Sequence, residues 1–428
     1  MINCRKKNRG DLAYVGLFIL MLLVHMPWDV ISDDAVNLEL ELSWADYFVR
    51  QWRENGRYFT DSLAYMFLKG PFLVWKVVDS LLYVLLAKMA AYLLGKDRFW
   101  DIVCCMMTAL FPFEYMISAG YIATSANYMY PVLCIVLISA CLKKLYVEER
   151  ITLRQGICVI LATMYSTNHE QTGVALTGGL ICAAVCLGRR ERVKKPVFAG
   201  ILYGEMALAL LCFGISFFSP GHLGRMQSVV EMEVWLPQYA QWSTAAKLYR
   251  GYTSTVAVLF FQRQDLVTVF VALLAALSFK RKAWAGMIPL IAVTAVKIIG
   301  YDRFVVFFPY SRGMPDIDFL ENGIAPGIAL ALSAVIIGCT VWGLYRAVTN
   351  KGRLAVLYVL LFIAACTREM MGFSATIYAS SFRTFTCSLF AVLMGNLVLI
   401  KEWMEEGENQ LCRMYLVIGL TAGIWMGR

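Results

Sequence analysis

Charge is scarce in this chain. Lysine, arginine, aspartate and glutamate together make 16% of its 428 residues, while hydrophobic residues reach 60%. Soluble domains carry about a quarter charged residues, so a soluble globular domain is excluded, as are a disordered chain and a coiled coil. Histidine is scarcer still. His25, His169 and His222 are the only three, and a multi-histidine metal centre is not expected. The alternation that marks a closed β-barrel is missing too, because the apolar segments are long and continuous. Thirteen cysteines are present, but most lie inside apolar runs and no metal-type or framework spacing links them. Helix packing accounts for them.

What the chain does have is apolar runs. Thirteen fall at about 12–31, 71–95, 99–118, 128–146, 155–167, 171–188, 196–218, 251–279, 283–300, 324–347, 354–372, 384–401 and 412–427. A spanning helix needs about 20 residues. The expected fold is therefore all-α: one polytopic integral membrane domain over 1–428 with roughly 11–13 transmembrane helices. Basic residues alternate between loops. Lys143, Lys144, Arg150 and Arg154 lie on one side, with Arg189–Lys195, Lys280–Lys282 and Arg346–Arg353. That side is cytoplasmic, and the net charge of +9 marks topology rather than nucleic-acid binding. Arg5, Lys6, Lys7 and Arg9 precede the first run, and no small-residue cleavage site follows. The first helix is read as retained, with its amino terminus in the cytoplasm.

The outer face then holds the unusual loops, 32–70, 119–127, 166–171, 219–250, 301–323 and 368–383. Asp33 and Asp34 follow the first helix. Two adjacent carboxylates repel, so one can have a raised pKa, or both can share a divalent cation such as Mg or Mn; a solvated helix end is the plain alternative. In 43–54, Trp44, Phe48 and Trp52 recur every four residues, which predicts an interfacial amphipathic helix. Asn55-Gly56 breaks it, and Arg57 opens a second such helix through Phe67. The pair would roof a site at the membrane surface. The uncharged stretch 118–131, with Asn127 and Tyr128, suits a sugar or an ordinary hairpin. In Ser166–Gln171, Glu170 needs a partner, and His169 stands beside it. Ser219-Pro220-Gly221-His222 ends in Arg225, a combination suited to a phosphate. Arg312 and Arg383 lie outside without an adjacent acid, so both rank as anion binders.

In order, these pieces are Ser32-Asp33-Asp34, Asn55-Gly56-Arg57, the Gly120…Asn127-Tyr128 hairpin, Asn168-His169-Glu170-Gln171, Ser-Pro-Gly-x-x-x-Arg at 219–225 and Ser380-Ser381-Phe382-Arg383. The order resembles a bacterial multi-spanning membrane family filed as a domain of unknown function (number 6056), grouped with GtrII-like and other GT-C-type glycosyltransferases. In that pattern His222 replaces the usual asparagine. The resemblance implies a polyprenyl-phosphate sugar donor, a cell-envelope glycan or lipid-linked acceptor, and a site on the outer face of the bacterial inner membrane. It implies an essential acidic residue in the first outer loop, here Asp34 or Asp33, suited to act as general base; Glu170, also at an outer helix end, would support it. Arg225, Arg312 and Arg383 would hold the donor phosphate. Arg57, Asn127, Tyr128, His169 and His222 would contact acceptor or sugar. A polysaccharide polymerase or ligase of the same kind of pathway is the nearest alternative, and a lipid-linked saccharide flippase is another. Transporters tend to carry internal repeats, and none is visible here.

Overall fold

The computed structural model describes residues 4–95, 97–188, 194–262, 264–304, 307–308 and 324–405. Arg312, most of the 301–323 loop and the apolar run at 412–427 lie outside the described residues. Among the described residues, the regular structure is entirely helical. Seven helices are long and apolar enough to cross a membrane, from Phe72–Leu94 to Phe382–Glu405. The pair Thr244–Phe261 and Asp265–Lys280 bends by 75° at its break and makes an eighth if it is one crossing. Asp11–His25 and Trp284–Ile299 are apolar but shorter.

The runs at 99–118 and 155–167 depart from expectation. They form helices of only 12 and 14 residues, Arg98–Ala109 and Leu153–Ser166. At about 1.5 Å per residue these measure about 18 and 21 Å, short of a hydrocarbon core of about 30 Å. The chain is a multi-pass helical membrane protein. Seven or eight of its described helices have the length of a full span, where the apolar runs alone give roughly 11–13.

Contacts gather the chain into two compact units. The first holds 1–109, 113–228 and 382–387. Its helices are α1 (Cys4–His25), α2 (Asp33–Leu38), α3 (Trp44–Glu54), α4 (Tyr58–Leu68), α5 (Phe72–Leu94), α6 (Arg98–Ala109), α7 (Tyr121–Tyr146), α8 (Leu153–Ser166), α9 (Glu170–Ala183), α10 (Pro196–Phe217) and α11 (Pro220–Met226). Local chemistry starts many of them. Ser43 caps α3 and Ser219 caps α11, each accepting from the third helical N–H. Thr152 and Gln155 make a reciprocal capping box on α8. Proline opens α10 and α11. The core between α7, α8, α9 and α10 is built by Ile138, Ala162, Leu176, Leu180, Phe198 and Leu202.

The second unit holds 110–112, 229–381 and 388–428. Helices 284–299 and 324–347 approach closely beside 265–280. A Cβ on Gly343 would stand 2.6 Å from Gly286 Cα, so only glycine fits there. Asn396 on the last described helix donates to the Leu266 carbonyl at 2.9 Å.

Candidate functional site

The first outer loop forms the two helices that its sequence predicts. Tyr47 of α3 stacks on Tyr65 of α4, rings 4.0 Å apart and nearly parallel. Phe48 and Trp52 pack edge-on against Tyr58. Trp44 stays half exposed, at 53%. The break falls at Asn55-Gly56, and Gly56 takes φ +83°, a left-handed conformation that a side chain would strain. The start of α11 presses onto this break. A Cβ on Gly221 would lie 2.4 Å from Asn55 N. The Pro220-Gly221 pair therefore serves close packing that brings His222 and Arg225 to the loop.

Glu170 is the hub. It is the first residue of α9, where a carboxylate is favoured by the helix dipole. Arg57 grips it in a fork, Nε to Oε1 at 3.3 Å and Nη2 to Oε2 at 2.9 Å. His222 Nδ1 stands 3.3 Å from Oε1, and Arg225 Nη1 stands 3.7 Å from it. His169, the expected partner, is farther, with Nε2 at 3.8 Å. The fork of Arg57 displaces it. His169 is buried against the Tyr128 ring, centroids 4.5 Å apart. Burial lowers its pKa to about 3, and the positive charge of Arg57 adds to the effect. Arg225 and Arg383 act on the same imidazole. Burial opposes the charge on Arg57, but Glu170, Tyr128 and Asp61 more than offset this and hold the guanidinium protonated.

A chain of hydrogen bonds leads from the hub to α7. Arg225 Nη1 donates to Asn55 Oδ1 at 2.7 Å. Asn55 Nδ2 donates to Asp61 Oδ2. Asn127 Nδ2 donates to Asp61 Oδ1 at 2.6 Å, and Thr60 donates to Asn127 Oδ1 at 2.7 Å. Asn127 lies in a π turn, Ser125–Met129, that interrupts α7. Such turns recur at functional sites. Burial pushes the Asp61 carboxyl up, against the pull of Arg57 and of the Asn127 hydrogen bond. Asn168 ties the start of α4 to this assembly, accepting from Phe59 N at 2.8 Å and donating to Gly56 O at 3.2 Å.

The acidic pair divides in two. Asp34 is fully buried and accepts from the N–H groups of Ile122 at 2.8 Å and Ala123 at 2.9 Å. Gly120, at φ +89°, turns the hairpin so closely that a Cβ would touch Asp34 Cγ at 2.4 Å. Burial pushes the Asp34 carboxyl up to about 6; the N–H groups oppose this, and Asp33 adds only a smaller push. Asp33 is exposed, and its Oδ2 stands 4.0 Å from Arg383 Nη1. Gln171 of α9 holds the segment that carries Arg383, donating to the Thr384 carbonyl at 3.0 Å.

A cavity of about 10 Å³, lined by Gly56, Asn168, Glu170, Ser216 and His222, lies inside the hub. It has room for about one water. The acidic pair is split, with Asp33 exposed beside Arg383 and Asp34 buried. Both Asp34 oxygens are committed to backbone N–H groups. Among the described residues, no group of three or more His, Cys, Asp or Glu side chains is placed to hold a metal ion.

The structure thus joins Arg57, Glu170, His222, Arg225 and His169 in one cluster, with Tyr128 packed on it and Asn127 linked through Asp61. Asp33 and Arg383 form a neighbouring pair, and Arg312 lies outside the described residues. Asp61, Asn55 and Asn168 were not among the expected side chains. Arg57 and Asp61 stand four apart on one helix face, which was the available signal. No family model, curated protein or solved structure matches the chain.

Proposed function

We propose that this protein is a membrane glycosyltransferase of GT-C-like type. It moves a sugar from a polyprenyl-phosphate donor to a cell-envelope glycan or lipid-linked acceptor at the outer face of a bacterial inner membrane. The carrying observation is that Arg57 and Arg225, from separate segments, both reach Glu170, with Arg383 of a third segment beside Asp33. Guanidinium forks suit a phosphate oxyanion geometrically and cannot be deprotonated. The motif order of the family resemblance supports the same donor class, and a lipid donor suits a site built from loops and helix ends.

The geometry supports the following roles. Asp33, rather than Asp34, is the base that takes the acceptor hydroxyl proton, since its carboxylate is exposed and faces Arg383. The acceptor oxygen bonds to the anomeric carbon, and the phosphate leaves with the electron pair. Arg383 and Arg225 hold the charge that develops on it. Glu170 keeps Arg57 and Arg225 oriented when donor is absent. Asp34 holds the hairpin. Asn127 and Tyr128 act behind Asp61 and His169 rather than on the sugar. A sugar phosphate is far larger than the water-sized cavity, so α3, α4 or α11 moves on binding.

Membranes that contain the protein, given labelled polyprenyl-phosphate hexose, should transfer label to glycan. Removing a general base costs about 10²–10⁴-fold. Asp33→Asn should lose that much at matched folded amounts. Near-normal transfer by Asp33→Asn would remove Asp33 from the chemistry.

A further inference from the structure

The α1–α5 interface holds a second polar cluster that the site above does not use. His25 closes α1, and Asp79 is the eighth residue of α5. Both have no exposed surface, and His25 Nε2 stands 2.7 Å from Asp79 Oδ2. The other ring nitrogen reveals where the protons are. Nδ1 lies 2.5 Å from the Met21 carbonyl oxygen, which can only accept. It also lies 3.2 Å from Ser80 Oγ, whose hydroxyl donates to Lys76 O at 2.7 Å. Nδ1 therefore carries a hydrogen, and in a neutral ring Nε2 would hold only a lone pair. Nε2 and both Asp79 oxygens are buried without a hydrogen bond of good geometry, and a lone pair set 2.7 Å from an ionised carboxylate oxygen is repulsive. In a buried interior nothing screens that repulsion.

We infer that His25 and Asp79 share one proton inside the α1–α5 interface and together position the hairpin that grips Asp34. The connection runs through rings. His25 packs edge-on against Trp28, centroids 4.2 Å apart, and Trp28 stacks flat on Tyr121 at 4.0 Å. Tyr121 directly precedes the Ile122 and Ala123 N–H groups that hold Asp34. The other ionisable groups around Asp79 do not take the proton's place. Lys76 sends its ammonium to the Met26 carbonyl at 2.7 Å. Tyr83 of α5 faces Asp79, and the Tyr130 hydroxyl of α7 turns toward Asp79 while accepting the Trp75 indole N–H at 3.1 Å. An ionisable pair this deep in an apolar helix bundle is costly unless it has a task. The inference concerns the hairpin and holds whichever reaction the site performs.

The test uses the full chain in lipid discs, without substrate. With only three histidines in the sequence, the ¹⁵N signals of His25 are the ones lost in His25→Leu. They should report a protonated Nδ1 and a hydrogen-bonded Nε2. A bare Nδ1, or an Nε2 with a free lone pair, would overturn the shared proton. Backbone hydrogen exchange over 119–124 then reads the hairpin. Asp79→Asn supplies an amide N–H in place of the shared proton and should leave that exchange near wild type. His25→Leu strands a buried carboxylate and should speed it by about 100-fold or more, selectively over the rest of the unit. Adding Asp79→Leu to His25→Leu removes the stranded charge and should recover folded yield. Equal acceleration by Asp79→Asn and His25→Leu would sink the shared proton, and uniform acceleration across all peptides would sink the positioning role. If His25→Leu does not fold, Asp79→Asn and the ¹⁵N spectrum decide alone.

Discussion

At the residue scale, the main result is a division of labour among acids that look equivalent in the sequence. Asp33 and Asp34 are neighbours, yet one is exposed beside Arg383 and the other is buried on two backbone N–H groups. Adjacency in the chain does not reveal which way each side chain turns, so the pair was legible and its division was not. Glu170 was legible as an acid in need of a partner. That Arg57 would supply it was not, because 113 residues separate the two. Asp61 was missed for a related reason. In an amphipathic pattern an aspartate reads as solvent-facing, and its partners Asn55 and Asn127 come from other segments. His169 gives a prediction with a defined sign. Its folded pKa is about 3 against an ordinary 6.5, so the folded protein binds fewer protons than the unfolded chain in that window. His169 therefore lowers stability as pH falls from about 6.5 toward about 3. Asp34, raised from 3.8 to about 6, acts with the opposite sign and loses stability as pH rises through its window. The comparison thus needs a variant. Unfolding temperature measured from pH 7 to pH 4.5 should fall less in His169→Gln than in wild type. Parallel curves would show that His169 titrates like an exposed histidine.

At the element scale, the two helices over the site and the break between them were readable from the aromatic spacing and from Asn55-Gly56. Their packing partner was not. Pro220-Gly221 reads as a helix-end signal, and only the fold shows that Gly221 is small because Asn55 N lies against it. The π turn at Ser125–Met129 left no sequence mark at all. The hairpin before it makes the sharpest demand. Gly120 combines φ +89° with contacts that leave no room for a Cβ. Gly120→Ala should cost about 1–3 kcal/mol for the strained backbone alone, and more if Asp34 is displaced. Denaturant unfolding of the purified protein reads the first cost. Faster amide exchange at 119–124 reads the second. An unchanged midpoint together with unchanged exchange would mean that the hairpin relaxes freely, and Asp34 would then not be held as described.

At the scale of the whole molecule, composition alone was enough for a multi-pass helical protein, since 60% hydrophobic residues leave no soluble alternative. Counting crossings was harder. The segment at 99–118 packs in a helical core, whereas 155–167 leaves Ile157, Ile160 and Leu161 exposed, and both helices are too short to span. Sidedness rests on the alternation of lysine and arginine. Cysteines at Glu41 and Gln241 should gain labelling by an impermeant thiol reagent in intact cells, while one at Lys351 should not; the reverse pattern would invert the topology. The central claim is that the arginines gathered at Glu170 and Asp33 hold a lipid-linked phosphate. Equilibrium binding of a polyprenyl phosphate to the protein in lipid discs, set against the same polyprenol without phosphate, tests this most directly. Charged hydrogen bonds contribute about 1.5–3 kcal/mol each. Phosphate-dependent binding should therefore weaken by about 10- to 100-fold in Arg225→Lys and in Arg383→Lys. Equal binding of phosphate and polyprenol, or binding unaffected by both variants, would contradict the account.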